Sequence, residues 1–189
     1  MTVNLPDHFP SDEVLREHVL ESNAIEGIDV TPGHPLYDDH LAAARLVVER
    51  AALRRPANLL RIHRELLASE PEKGPGRYRD VWVGVGGRVC PGPSEVPWLA
   101  SQLELRVADR YHAYLHDEEA PRLDEGAIWG LHHELQYVHP FRDGNGRTGR
   151  LWVNGLRLLY GYPWQVVPVA ARDAYYAEIR AWIAARGLV

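Results

Sequence analysis

A mainly α domain carrying one short β-hairpin is the fold that the sequence predicts, on three observations. Apolar residues recur at helical spacing through most of the chain, most clearly Val96, Leu99, Leu103, Val107, Tyr111 and Tyr114, the pattern of helices that bury one face. Only Tyr78 to Cys90 changes period. There Val81, Val83 and Val85 alternate with Trp82 and Gly84 before a Gly86-Gly87 turn and a return through Arg88-Val89-Cys90, which reads as a hairpin. Finally, 189 residues with 46% hydrophobic and 25% charged side chains suit one globular domain with a sizeable core. No internal repeat, low-complexity tract or linker divides the chain, so residues 1–189 are read as a single domain.

In chain order, residues 1–10 read as an arm punctuated by Pro6 and Pro10. Ser11 or Asp12 then caps a helix to about Ala24 or Ile25, with Val14, Leu15, Val19 and Ile25 inward. Thr31 to Pro35 is a turn-rich break. Helices follow over about Leu36–Leu53, with Leu41, Ala44, Val48 and Ala51 inward, and Ala57–Ser69, with Leu59, Ile62, Leu66 and Leu67 inward. His63 falls in that last pattern and reads as a residue of the core edge. Glu70 to Gly76 is a Pro/Gly loop. After the hairpin, Pro91 to Pro97 is an extended crossing into the long helix that ends near His116. The next helix spans about Leu123–Val138, with Ile128, Leu131, Leu135 and Val138 inward, and Pro140 forces His139 out of helical geometry. A helix over about Gly146–Tyr160 contains Gly155, which weakens it unless close packing compensates. Gly161-Tyr162-Pro163 stops it. The last helix runs over about Ala171–Arg186, presenting Ala174, Tyr175, Ile179, Trp182 and Ile183.

Composition excludes several classes. A net charge of −5 gives no polycationic footprint for a nucleic-acid partner. The single Cys90 forms no internal disulfide, which fits a reducing compartment. Met1 to Glu17 carries acids and no apolar run, unlike a signal peptide, and no stretch is apolar enough to span a bilayer. A cytoplasmic protein without membrane attachment is the expectation.

Chemistry concentrates in one string, His139-Pro140-Phe141-Arg142-Asp143-Gly144-Asn145-Gly146-Arg147-Thr148-Gly149-Arg150. Asp-Gly and Asn-Gly commonly mark hairpin turns, but the flanks here have helical period. Glycines that admit an anion to the backbone, a helix start with free N–H groups, and Arg147 and Arg150 three residues apart make a phosphate cradle. His139 titrates nearest neutrality and can act as a base beside it. A zinc site from His132, His133, Glu134 and His139 is disfavoured, because His132 and His139 lack the i, i+4 spacing of helical ligands.

The string resembles the Fic family motif, His-Pro-Phe-x-Asp/Glu-Gly-Asn-Gly-Arg-x-x-Arg, with every fixed position present. The resemblance implies the Fic helical bundle and transfer of AMP from ATP to a Ser, Thr or Tyr hydroxyl of a target protein. His139 is then the base and Asp143 the Mg²⁺ ligand. Gly144, Asn145 (through its side chain as well as its N–H) and Gly146 bind phosphate oxygens. Arg147 meets the β-phosphate region and Arg150 the γ-phosphate, while Phe141 anchors the loop in the core. Gly146 stands where the phosphate-transferring Doc branch has Lys, which favours nucleotidyl transfer. Tyr175 and Tyr176 sit where the family often places an adenine-pocket aromatic.

Two further segments follow from the same resemblance. Ser22-Asn23-Ala24-Ile25-Glu26-Gly27 is similar to the inhibitory motif Ser/Thr-x-x-x-Glu-Gly/Asn at the end of an N-terminal inhibitory helix, here residues 11–27. Gly27 fits the helix C′ position. Glu26 is thereby expected to pair with Arg150 in place of the γ-phosphate, with Ser22 one turn earlier on the same face. The hairpin at 78–90, led by Gly76-Arg77-Tyr78-Arg79, resembles the flap through which Fic proteins clamp a target segment by main-chain pairing, here through Val81, Trp82, Val83, Gly84 and Val85. Two alternatives stay open: Glu26 orienting a water for removal of AMP, or a non-catalytic nucleotide-binding regulator. A homo-oligomer is compatible with the sequence.

Overall fold

The computed structural model describes residues 5–188, so the first four residues of the N-terminal arm lie outside the described chain. Seven α-helices, two single-turn 3₁₀ helices (Pro71–Lys73 and Val169–Ala171) and one two-stranded antiparallel hairpin make up the regular structure of those residues. The helices are α1 (Asp12–Ile25), α2 (Pro35–Ala52), α3 (Leu59–Leu66), α4 (Val96–His116), α5 (Glu125–Val138), α6 (Asn145–Leu159) and α7 (Arg172–Ala184); β1 (Gly84–Val85) and β2 (Arg88–Val89) form the hairpin.

The centre of the fold is α6, in which every residue but Gly146 is buried. A helix apolar or paired on all sides belongs inside a bundle, and α1, α2, α3 and α5 surround it. Its Leu151, Trp152, Val153 and Leu156 join Val19, Val47, Leu59, Ile62, Leu66 and Ile128 in one core. Gly155 supplies the close packing: a Cβ there would lie 2.8 Å from Val47 Cγ1 of α2. A smaller apolar cluster, Ile25, Tyr175, Ile179 and Ile183, seats α7 against the end of α1.

Local capping explains the helix ends. Ser11 and Asp124 accept the N–H groups of Val14 and Ala127. Asn58 caps α3, and Glu104 of α4 accepts both Asn58 Nδ2 (2.9 Å) and the Leu59 N–H (2.8 Å). At the end of α1, Gly27 takes the left-handed conformation (φ 73°), with Ile28 N–H bonding Asn23 O and Gly27 N–H bonding Ala24 O. This Schellman closure turns the chain sharply at Glu26.

Three expectations need correction. The hairpin is shorter than residues 78–90: only Gly84–Val85 pairs with Arg88–Val89, extended by one bond from Cys90 N–H to Val83 O. Its in-out alternation is also lost, because Val81, Trp82, Val85 and Val89 are all exposed on an arm that stands off the bundle. His63 is fully buried rather than at the core edge, and Ala174 faces solvent. No helix among the described residues is long and apolar enough to cross a membrane.

Gly155→Ala should lower the melting temperature although alanine is the better helix former by about 1 kcal/mol, because overpacking against Val47 costs about 1–3 kcal/mol. Adding Val47→Ala should recover part of the loss; thermal melts of the two variants and the double variant check the coupling.

Candidate active site

His139 closes α5 in the left-handed conformation (φ 48°), one of two non-glycine residues among those described with positive φ. Its N–H still bonds Leu135 O (2.9 Å). The ring is largely buried, with Nδ1 lacking a hydrogen-bond partner among the described residues. Burial, then the nearby Arg79 and Arg88, pushes its pKa down to about 4, against the raising effect of the Gln136 backbone and Glu26. It is therefore neutral and able to accept a proton at pH 7.

The loop that follows is closed from within. Phe141 is fully buried and stacks on His63 at 3.8 Å between ring centroids. Asn145 Oδ1 accepts the Phe141 N–H and Asn145 Nδ2 donates to Phe141 O, both at 2.9 Å. The Asn145 side chain, expected at phosphate, is thus used inside the loop, and only its backbone is left for an anion. Gly144, left-handed at φ 72°, starts α6 without a side-chain cap. The Thr148 N–H is the first to find a turn-closing acceptor, Gly144 O at 2.8 Å, so the preceding N–H groups point out of the helix end.

Arg150 is buried in a complete shell of acceptors. Nε donates to Ser22 Oγ (2.9 Å), Nη2 to Ser22 O (2.8 Å) and Glu26 Oε1 (2.7 Å), and Nη1 to Tyr175 OH (3.2 Å). Tyr175 OH in turn lies 2.9 Å from His132 Nε2. Tyr176 OH donates to Glu26 Oε2 at 3.2 Å, so two groups hold the carboxylate. Glu26 also crowds the start of α6: a Cβ on Gly146 would be 2.1 Å from Glu26 Oε1. A carboxylate therefore already occupies the anion position that the helix end provides.

Arg147 is less well matched. It is 1% exposed, its Nη1 reaches Asn23 Oδ1 at 3.4 Å, and its Nη2 lies 3.6 Å from Asp143 Oδ1. Nε and Nη2 are buried without a hydrogen-bond partner among the described residues, so beside its longer ion pair with Asp143 the guanidinium keeps donors that an anion would satisfy. Asp143 is half-exposed and bonds Lys73 Nζ (2.7 Å) and its neighbour Gly144 N–H (2.6 Å). Although burial raises its pKa, those two bonds and Arg147 hold it below the usual carboxylate range. No group of three or more His, Cys, Asp and Glu converges among the described residues.

Two cavities meet at this point. The larger, about 510 Å³, lies between the hairpin and α7 and is lined by Val85, Gly86, Tyr176, Ile179 and Ile183 as well as Gln136 and Arg180. The smaller, about 120 Å³, is lined by residues 142–147. Glu26, His139 and Gly146 border both. The apolar chamber has the size and lining of a small-molecule pocket, and the polar one is the anion end.

Several residues that build the site were not singled out from the sequence. Lys73 holds Asp143, and His63 reaches Asp143 O through Nε2 (3.1 Å) while accepting the Gly76 N–H (2.9 Å). Arg88 donates to Tyr137 O and Gln136 O, pinning β2 to α5. Gln136 Nε2 bonds Asn145 O at 3.2 Å. The Gly-Arg-Tyr-Arg string at 76–79 was the one signal pointing towards this layer.

The family model described as Fic/DOC matches residues 55–156, and the chain belongs to that family. Protein adenylyltransferase Fic of Drosophila willistoni is 37% identical over 120 residues, 63% of this chain and 22% of the relative. Its counterpart in Drosophila melanogaster is 35% identical, over 63% and 23%. The chain thus spans less than a quarter of the length of these relatives. Among solved structures, a Fic domain containing signaling protein from Bacteroides thetaiotaomicron superimposes with a TM-score of 0.70 at 21% identity, covering 89% of this chain and 71% of that one. A Fic family protein from Desulfovibrio desulfuricans gives 0.61 at 25%, covering 94% and 58%.

Acid should destabilise this core. His18 and His132 have pKa values lowered to about 3, and His63 and His139 to about 4, in each case first by burial. The unfolded chain takes up these protons near pH 6.5 and the folded chain does not, so stability present above pH 6.5 is lost as pH falls. Each histidine contributes up to about 1.4 kcal/mol per pH unit across its window. Melts from pH 7.5 to 5 should show a steep fall below about 6.5, and a flat profile would contradict the neutral burial of these rings.

Proposed function

We propose that the chain transfers AMP from ATP to a Ser, Thr or Tyr hydroxyl of a target protein, and that Glu26 restrains it at rest. The observation that carries this reading is the Glu26 carboxylate seated on Arg150 and Gly146, where an anionic phosphate is expected. The adenylyltransferase names of the Drosophila relatives support the reaction class.

In this reading the nucleoside enters the larger cavity beside Tyr176, and the triphosphate crosses the N-terminus of α6. Backbone N–H groups of residues 145 and 146, the free donors of Arg147 and the guanidinium of Arg150 receive its oxygens. Asp143 fits Mg²⁺, a hard cation that takes one or two carboxylates and fills its shell with phosphate and water oxygens, and the ion would neutralise phosphate charge there. The target lies along the hairpin, whose exposed Val81, Trp82, Val85 and Val89 offer an apolar surface and whose strands offer free main-chain groups. His139 Nε2 takes the hydroxyl proton as the oxygen bonds to the α-phosphorus. The bond from the α-phosphorus to the bridging oxygen breaks, and pyrophosphate leaves. Positioning and charge neutralisation supply most of the rate.

Because Ser22 Oγ, Ser22 O and Tyr175 OH still hold Arg150, the fold survives loss of Glu26. A second reading rests on the same carboxylate: Glu26 borders both cavities with His139, where it would orient a water to remove AMP from a modified protein.

With radiolabelled ATP, Glu26→Gly should label itself or lysate proteins at least about tenfold more than wild type, the factor equivalent to roughly 1.4 kcal/mol. Equal labelling would sink the restraint. His139→Ala in that background should lose transfer by about 10²–10⁴ while retaining nucleotide binding. Loss of AMP removal from a premodified protein in Glu26→Gly would favour the second reading.

A further inference from the structure

Arg79 is 2% exposed, and no carboxylate pairs with it among the described residues. A buried charge without a counter-ion needs strong hydrogen-bond partners, and Arg79 finds four carbonyls. Nε donates to His139 O (2.7 Å), Nη2 to Pro91 O (2.6 Å) and Val138 O (3.3 Å), and Nη1 to Val81 O (2.8 Å). Its own N–H donates to Pro140 O at 2.9 Å. Val138 and His139 offer the carbonyls at the negative end of α5, where a cation is favoured. Val81 and Pro91 stand at the two feet of the hairpin.

This pattern accounts for an arginine where the sequence shows only a lead-in to the hairpin. Three consecutive carbonyls, from 138 to 140, are tied to one residue across the left-handed turn at His139. L-residues rarely hold that conformation unless their surroundings determine it. The planar fork of a guanidinium bonds several acceptors at fixed angles, which the three freely rotating donors of lysine do not.

We propose that Arg79 is the positioning residue of the site: it locks the 138–140 turn that aims His139 into the cavity and ties that turn to both feet of the hairpin. The proposal rests on the reading of His139 as the base. A hydroxyl delivered on the hairpin then meets the imidazole in a fixed register without contacting Arg79. The positive charge has a second consequence. Arg79 and Arg88 on the hairpin side disfavour protonation of His139, Glu26 from α1 favours it, Asp143 and Arg147 face it across the smaller cleft, and Tyr176 and Arg180 of α7 line the larger cavity with it. Burial does most to keep the ring neutral and the two arginines add to it, so loss of Arg79 moves the His139 pKa upwards.

The test uses the full chain carrying Glu26→Gly as parent, with Arg79→Lys and Arg79→Met added. Initial rates of AMP transfer are measured from pH 7.5 to 5.5, beside thermal melts and binding of a non-hydrolysable ATP analogue. Both variants should lose kcat by about a hundredfold, the effect of a misplacement near 1 Å, with KM for ATP and analogue binding unchanged. Arg79→Lys keeps the charge and should keep the parent's pH profile; Arg79→Met should begin to lose rate at a higher pH than the parent. Folded variants with the parent's kcat would overturn the proposal. So would kcat falling in step with ATP binding, or an Arg79→Lys variant that fails to fold, since the role would then be structural. Where only Arg79→Met fails to fold, the kcat and KM split of Arg79→Lys decides. A parent that transfers no AMP brings down the proposed function and this proposal with it.

Discussion

Two guanidiniums at the N-terminus of a buried helix set the terms for everything around them. Arg147 and Arg150 lie in the first two turns of α6, where the helix dipole is positive and cations are disfavoured, and both are 1% exposed. Such an arrangement persists only with anions or acceptors at close range. Asp143 answers for Arg147, and Glu26, Ser22 and Tyr175 answer for Arg150. The docking of α1 and α7 on α6 is therefore as much an electrostatic requirement as an apolar one. An anion competing for these arginines would enter a place already built for negative charge.

The layer behind the arginines extends the constraint. Asn23 bonds Val19 O, His40 Nδ1 and Arg147, and His18 packs edge-on against His40 and Trp164. Protonating either histidine would add charge beside Arg147 and Arg150, so burial and the arginines keep both rings neutral. Polar groups in a low-dielectric core make the packing specific but vulnerable. On the opposite side the hairpin has almost no core of its own: Arg79 and Arg88 hold it by bonds to carbonyls near the end of α5. The hairpin and His139 are thus fastened to the same helix end.

Helices were legible because their apolar stripes and caps are local. Ser11 and Gly27 mark the ends of α1 within a residue or two of those observed. The hairpin was overextended because Val81 and Trp82 carry strand-like alternation yet have no sheet to bury against. The string at 139–150 stood out because its chemistry is contiguous. Contacts spanning 60 to 80 residues, such as Arg79 with His139 and His63 with Asp143, have no local signature. The Asn145 side chain has no local signature either: whether it turns outwards to a ligand or back to Phe141, as here, depends on loop geometry that composition does not encode.

The central claim is that Glu26 competes with the terminal phosphate for Arg150. Calorimetric binding of a non-hydrolysable ATP analogue and of AMP, to wild type and to Glu26→Gly, tests it most directly. The account predicts that removing Glu26 strengthens binding of the ATP analogue by about tenfold or more and leaves AMP nearly unchanged. Equal effects on both nucleotides, or none on either, would contradict it.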